Sequence, residues 1–244
     1  FVREEISAGH IRKLFAGRNR NVNVEVSVDS ALQVTVAPMD RQNYMVSNHM
    51  RAEDQLIVVS AIHWPYPNDP SPHLRQKEYD AAVIEAIRVF AEGQPTHVVF
   101  VPQLYRSIHR DTPYLETLAR QLPEDISREI LSDAKSSNEQ RSLFAIADWV
   151  IAGRYHPAVF AVSSAVPVLC IAYEHKATGV LQVAGVPDAV LSIDDVTVEA
   201  VQAKARELLA GKANLMARLN IAQVNLREVS SRTSVAVADV VRRS

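Results

Sequence analysis

Five short runs dominated by apolar residues limit what this chain can fold into: QLIVVSAI (55–62), THVVFVPQ (96–103), WVIAGR (149–154), PVLCIAY (167–173) and AVLSI (189–193). Each is too short for a helix that buries itself, and amphipathic segments separate them. Alternation of that kind belongs to βα units and a mostly parallel sheet, because a strand covered on both faces needs apolar residues on both. QKEYDAAVIEAIRVFAEG (76–93) reads as a helix, with Ala82, Ile84, Ile87 and Phe90 facing inward and Gly93 as its stop. DTPYLETLARQL (111–122), NEQRSLFAIADW (138–149) and TVEAVQAKARELLAG (197–211) are further helices, and DISREILS (125–132) is a weak strand. From Ala213 onward the pattern suits one or two helices crossing the back of the domain.

Residues 1–50 follow a different pattern. Here a strand end at Phe1 to Arg3, a helix at SAGHIRKLF (7–15) and a short strand at NVNVEVSVD (21–29) precede a polar connector, MDRQNYMVSNHMRAED (39–54). The chain opens on Phe1 rather than Met, and reads as a fragment or a processed product.

With 244 residues the chain suits one large domain or two modest ones. A formal net charge of −2 argues against nucleic-acid binding through a bulk positive field. No apolar run approaches the roughly 20 residues of a membrane span. The one cysteine, Cys170, sits in an apolar run as a core thiol, which fits a reducing cytoplasm. His63, His73 and His109 lack metal-ligand spacing, and neither a dinucleotide-binding glycine motif nor a P-loop is present.

The chemistry concentrates at the ends of two runs. WVIAGR ends at the carboxyl edge of the sheet, and Pro157 suits the first turn of a following helix, which places His156 at or next to its N-cap. A helix N-terminus offers free N–H groups and a positive dipole end, so Arg154 and His156 there make an anion site without a glycine-rich loop. PVLCIAY ends on the same edge and delivers Glu174, His175 and Lys176 beside them, in the crevice where open α/β sheets take ligands. Against this, a single Arg or Lys at a strand end is more often a solvated charge, and His156 could serve only as a cap. The proline-rich loop HWPYPNDPSPHLR (63–75) reads equally well as a binding element or as an exposed connector.

The segment GRYHPAVFAVSSAVPVLCIAYEHKATGVLQVAGVPD (153–188) resembles the signature of the polysaccharide pyruvyl transferase family. The shared features are Arg-x-His, a short apolar helix, a small residue before Pro, and a strand ending in Tyr-x-x-Lys. VREEISAGHIRKL (2–14), VSVDSAL (26–32) and FVPQLYRSIHRD (100–111) give weaker support. Pro157 after His156 departs from the usual pattern, and the proline-rich loop has no evident counterpart.

The resemblance implies a Rossmann-like, mostly parallel sheet with helices on both faces, similar to the C-terminal half of a GT-B glycosyltransferase. Residues 1–50 would then be a remnant of the N-terminal half plus a connector, and 51–244 the donor-binding domain. The implied reaction moves a pyruvyl group from phosphoenolpyruvate to hydroxyls of a sugar in a surface polysaccharide or lipid-linked glycan, forming a ketal. Carried over by motif position, Arg3, Arg154 and Lys176 would hold the doubly anionic donor, and His156 would act as general acid–base, since imidazole ordinarily titrates near 6.5. Gln103, Tyr105 and Asp111 follow a neighbouring strand and could meet donor or acceptor, although a structural role weighs more for each. Beyond the donor substrate no cofactor is implied, and no metal. The implied setting is the cytoplasm, at the inner face of a membrane where the acceptor is lipid-linked. Two alternatives stay open: a nucleotide-sugar glycosyltransferase, with Glu174 gripping a ribose, and a non-catalytic glycan-binding relative.

Overall fold

A computed structural model of the chain describes residues 1–3, 5–18, 22–105, 111–131 and 136–243. Six parallel strands form one sheet: β1 (Gln55–Ser60), β2 (Thr96–Phe100), β3 (Ser127–Ile130), β4 (Trp149–Ala152), β5 (Val168–Ala172) and β6 (Val190–Ser192). They lie in the order β3-β2-β1-β4-β5-β6. Every residue of β1, β2, β4 and β5 is buried, whereas the edge strands β3 and β6 are half-buried. Four of the five apolar runs therefore belong to the sheet interior, while the fifth, AVLSI, supplies the edge strand β6, which among the described residues has a neighbouring strand on one side alone.

Strand order reverses between β1 and β4. From β1 the chain winds outward through α3 (Pro72–Ala91), β2, α4 (Thr112–Ala119) and β3. It then returns through α5 (Ser137–Phe144) to β4 and winds the other way through α6 (Tyr155–Ser163), β5, α7 (His175–Val183) and β6. Right-handed crossovers in opposite directions require helices on both faces and leave a crevice at the carboxyl ends of β1 and β4. Phe90 of α3 stacks on Trp149 of β4, with ring centroids 4.1 Å apart and planes 8° apart. The fold class is that expected from the apolar runs.

Several boundaries differ from the sequence reading. Helix α3 begins at Pro72, inside the proline-rich stretch, because Ser71 ends the extended path and proline at the first helical position loses no hydrogen bond. Trp149, which the sequence reading placed both at the end of a helix and at the start of WVIAGR, opens β4 alone, since α5 stops at Phe144. The described part of 21–29 is no strand; it makes one isolated parallel bridge, Val2 to Val26, because nothing beside it continues a ladder. Within the polar connector lies α2 (Arg41–Ser47), whose N-cap Asp40 accepts from the Asn43 N–H at 3.0 Å. Asn21, Ser132 and His109 lie outside the described residues.

The C-terminal segment forms α8 (Val198–Ala210) and one long helix, α9 (Lys212–Arg243). Along α9 Leu215, Leu219, Ala222, Leu226 and Ser230 are buried, an inward stripe at helical spacing. Its second half straps down the N-terminal segment. Ser230 Oγ donates to the Asp29 carbonyl at 2.9 Å, Gln33 Nε2 donates to the Ser230 carbonyl at 3.0 Å, and the Ser27 and Thr233 hydroxyls lie 2.7 Å apart. The N-terminal helix α1 (Glu5–Ala16) reaches α7, where the His10 and His175 rings meet edge-on at 6.1 Å.

Candidate functional site

Two helices start side by side on the carboxyl edge. Helix α6 follows β4 with Arg154 as its N-cap, and α7 follows β5 with Glu174 in the same place. Neither residue caps its helix with its own side chain, so both side chains are available for other contacts. His156 is the second residue of α6 rather than its cap, and Pro157 completes the first turn.

Gly153 permits this geometry. Its N–H donates to the Ser60 carbonyl at 2.6 Å, and a Cβ built there would lie 2.9 Å from that same oxygen and closer still to the Tyr79 hydroxyl. Only glycine lets β4 pass so near β1 at the point where the strand order reverses.

Arg154 points into the protein. Its Nη2 contacts Asp111 Oδ1 at 2.5 Å, with the two side chains 14% and 4% exposed. Asp111 Oδ2 in turn accepts the backbone N–H groups of Gln103 and Leu104 at 2.9 and 3.0 Å. Gln103 Nε2 reaches Gln140 Oε1 at 2.9 Å, and Gln140 Nε2 donates to the Tyr105 hydroxyl. Arg154, Gln103, Tyr105 and Asp111 are thus one hydrogen-bonded network. Arg154 Nε is buried and has no partner among the described residues, which leaves one guanidinium donor unspent.

Lys176 differs in its surroundings. Its ammonium lies 2.8 Å from Glu174 Oε2, with both side chains more than a third exposed. His156 is exposed, its ring edge-on to Tyr155 at 5.3 Å and tilted toward Phe160 at 6.1 Å. Among the described residues no hydrogen bond or ion pair joins Arg154, His156 and Lys176; adjacent helices bring them to one edge, and each keeps its own neighbours.

Arg3 reaches the same helix through Tyr155, the first residue of α6. Its Nη1 donates to Asp29 Oδ2 at 3.0 Å, the Tyr155 hydroxyl donates to the same oxygen at 3.0 Å, and the guanidinium lies 4.9 Å from the Tyr155 ring centroid. Burial raises the Asp29 carboxyl, but bonds from the Ala31 N–H, Tyr155 and Arg3 outweigh it and hold the group below the usual carboxylate range. Burial pushes the Tyr155 phenol well up, and Asp29 adds to the effect. The sequence reading treated Arg3 as a donor ligand; in the structure it holds the start of α6 to the N-terminal segment.

A cavity of about 610 Å³ opens on the carboxyl edge between the proline-rich loop, the end of β5 and the turn after β6. Trp64, Tyr66, Asp69, Arg75, Tyr173 and Asp194 line it, and none of these was singled out in the sequence reading. Two signals pointed there: the proline-rich loop after β1, and Tyr173 in the Tyr-x-x-Lys segment. Gln76 fixes the loop, taking the Trp64 N–H on Oε1 at 2.8 Å while its Nε2 donates to Asp80 Oδ1 at 2.7 Å.

Comparison with known proteins agrees with this architecture. A sucrose-phosphate synthase structure from Thermosynechococcus elongatus superposes with a TM-score of 0.61 at 12% identity, over 100% of this chain and 58% of that one. A Listeria monocytogenes structure assigned as a UDP-N-acetylglucosamine 2-epimerase superposes with a TM-score of 0.56 at 16% identity, over 88% of this chain and 51% of that one. The chain therefore spans little more than half the length of these structures, and at such identities the likeness shows the fold, that of a GT-B half. The family model for polysaccharide pyruvyl transferase matches residues 1–175, a span that includes Arg154, His156 and Tyr173 and ends one residue before Lys176. On that match, the chain belongs to the polysaccharide pyruvyl transferase family.

Proposed function

We propose that this chain carries the donor side of a transferase that moves a pyruvyl group from phosphoenolpyruvate to two hydroxyls of a glycan. The observation that carries the reading is the pair of adjacent helix starts, α6 and α7, with Arg154 and His156 on one and Lys176 on the other. Both helices direct unspent N–H groups and a positive dipole end at the same edge, where a small anion gains from each.

In the proposed reaction one acceptor hydroxyl adds to C2 of the enol while C3 takes a proton and becomes a methyl group. The second hydroxyl then displaces phosphate from C2. Two C–O bonds form, the C2–O–phosphate bond breaks, and of the two hydroxyl protons one replaces that taken up at C3 and the other leaves with phosphate. The exposed imidazole of His156 is the group that delivers the proton to C3. Lys176 holds the phosphate or carboxylate after giving up Glu174, an exchange that costs little at a partly exposed pair. Arg154 stays fixed on Asp111 and contributes its positive charge to the edge without leaving that carboxylate. The carboxylates beside both cations leave the empty edge near neutral, so an anion is held only by displacing one of them. A lipid-linked acceptor would bring the protein to a membrane surface; among the described residues no helix is long and apolar enough to cross one.

The test is phosphate release from phosphoenolpyruvate, with and without glycan acceptors. Acceptor-dependent release is expected, falling about 10²–10⁴-fold in His156→Ala while donor protection against thermal unfolding persists. Release that ignores the acceptor, or its absence, overturns the reading. A nucleotide-sugar glycosyltransferase shares the fold, and there Glu174 would leave Lys176 to grip a ribose. Thermal protection by UDP-sugars instead of phosphoenolpyruvate would favour that alternative.

A further inference from the structure

The geometry points to a second, separate subsite: the cavity beneath the proline-rich loop is a seat for one uncharged sugar ring, with Trp64 and Tyr173 as its stacking wall and Tyr66, Asp69 and Asp194 as its polar partners. The inference rests on the transferase reading for its purpose, since it gives the acceptor a place beside the donor edge. Its physical basis is independent of that reading.

The aromatic wall is the first element. The Trp64 and Tyr173 rings lie 4.5 Å apart between centroids with planes inclined at 42°, one brought by the loop after β1 and the other by the end of β5. Both are only half-buried and both line the cavity, so apolar ring surface remains open to a ligand. A pyranose carries a face of C–H bonds that leaves water when it covers such rings, while its hydroxyls project from the rim.

The polar partners are the second. Tyr66 is only 5% exposed, yet its hydroxyl has no hydrogen-bond partner among the described residues. The oxygen is not among the fully buried unpartnered atoms, so it opens onto the cavity and can donate to an acceptor from outside the chain. Burial pushes its phenol up to about 12; Arg75 opposes this, whereas Asp80, Asp194 and Glu78 add to it, so the proton stays on. Tyr66 also sits at φ = 43°, a conformation bulky side chains rarely adopt and one that its surroundings must enforce. Asp194 is exposed, and its carboxylate too lacks a hydrogen-bond partner among the described residues. Asp69 spends Oδ1 on the Ser71 N–H at 2.7 Å, while Oδ2 stands 3.7 Å from Arg75 Nε and keeps acceptor capacity. One phenol donor and two carboxylate acceptors suit a group that both donates and accepts, as a sugar hydroxyl does.

Charge excludes the commoner anionic ligands. Among the described residues Arg75 is the one cation lining the cavity, and it is already engaged. It lies 2.5 Å from Glu78 Oε2 and donates to the Asp194 carbonyl at 2.7 Å. Asp69, Glu78 and Asp194 therefore surround a single guanidinium, and the local field repels phosphate and carboxylate. Phosphoenolpyruvate is directed to the α6–α7 edge and a neutral ring to the cavity. The volume of about 610 Å³ falls within the roughly 300–1,000 Å³ of ordinary ligand clefts.

The test uses the protein's own fluorescence. Of the two tryptophans, Trp149 is buried against Phe90, and Trp64 alone lines the cavity. Methyl glycosides of glucose, galactose, N-acetylglucosamine and N-acetylmannosamine are titrated into the full chain with no phosphoenolpyruvate present. At least one should change the emission saturably; Trp64→Phe should abolish the change, and Tyr66→Phe and Asp194→Asn should weaken binding at least fivefold. Asp194→Asn is an exposed, isosteric change, and ligand-free emission and melting curves verify that each variant folds. The inference is overturned if no glycoside alters the emission, if both variants bind as tightly as the parent, or if UDP produces the Trp64 change that the glycosides do not. Glycoside binding without phosphate release would support the subsite while removing the transferase reading. Acceptor-dependent release with an unchanged acceptor KM in both variants would remove the subsite and leave the transferase reading intact.

Discussion

Helices α6 and α7 begin alike and end up in different electrostatic circumstances. Both follow interior strands, both run nine residues, and both carry a charged N-cap residue that does not cap. On α6 the cation is taken into the protein, where Arg154 meets Asp111, and Asp111 is fixed by two backbone N–H groups. On α7 the cation stays at the surface, held by one carboxylate two residues away. The physical difference is the cost of letting go: a buried carboxylate left without its partner is expensive, and a partly exposed pair exchanges with water almost freely. Arg154 is accordingly a fixed element of the site, and Lys176 a movable one.

The largest effect that would break this contrast is on stability. Arg154→Met should cost about 3 kcal/mol, the lower end for breaking a buried pair, because Asp111 retains its two N–H bonds. Lys176→Met should cost less than about 1 kcal/mol. Urea unfolding of the two variants measures both, and equal costs would erase the distinction. Next comes Gly153→Ala, expected to cost about 2 kcal/mol by crowding the Ser60 carbonyl and the Tyr79 hydroxyl. It should also impair acceptor-dependent turnover more than Lys176→Met does, since it displaces the start of α6.

How much of this was legible beforehand follows from the range of each interaction. The sheet was legible because burial on both faces writes itself into consecutive residues, as in QLIVVSAI and PVLCIAY. That α6 and α7 start at the carboxyl ends of neighbouring strands was legible from the strand ends and Pro157. The partnership of Arg154 with Asp111 was not, since it joins residues 43 positions apart through a carboxylate that the sequence presents as an ordinary helix start. Nor was the cavity: its aromatic wall joins Trp64 to Tyr173, and only the packing of a loop over a distant strand end brings them together. The short strand expected at 21–29 failed for the opposite reason. Its alternation is local, but among the described residues nothing pairs with it beyond the Val2–Val26 bridge.

Acid sharpens the comparison from the α6 side. Asp29 anchors Tyr155, the first residue of α6, and its carboxyl is held below the ordinary value of 3.8. A depressed carboxyl contributes stability that is complete above that ordinary value and is lost as pH falls below it, through the depressed value. Thermal unfolding between pH 5 and about pH 2 should therefore fall less steeply in Asp29→Asn than in the parent chain, and the two curves should converge at the acid end. Parallel curves would mean that the Arg3–Asp29–Tyr155 cluster contributes nothing to holding α6.

The smallest effect is the most specific to function. Glu174→Gln removes the carboxylate that occupies Lys176 without changing the shape of the side chain, so stability should move by less than about 1 kcal/mol. If Lys176 leaves Glu174 to hold the donor, the freed ammonium no longer has to be won back, and the KM for phosphoenolpyruvate should fall by up to about fivefold at low salt, the equivalent of 1 kcal/mol. The gain should shrink as ionic strength rises, because an exposed pair is already screened. Lys176→Met should raise the same KM, and the double variant should match Lys176→Met alone, since Glu174 matters only through the ammonium it occupies. A Glu174→Gln enzyme with unaltered donor KM at every salt concentration would mean that Lys176 remains a surface charge during turnover, leaving donor recognition to Arg154 and the two helix starts.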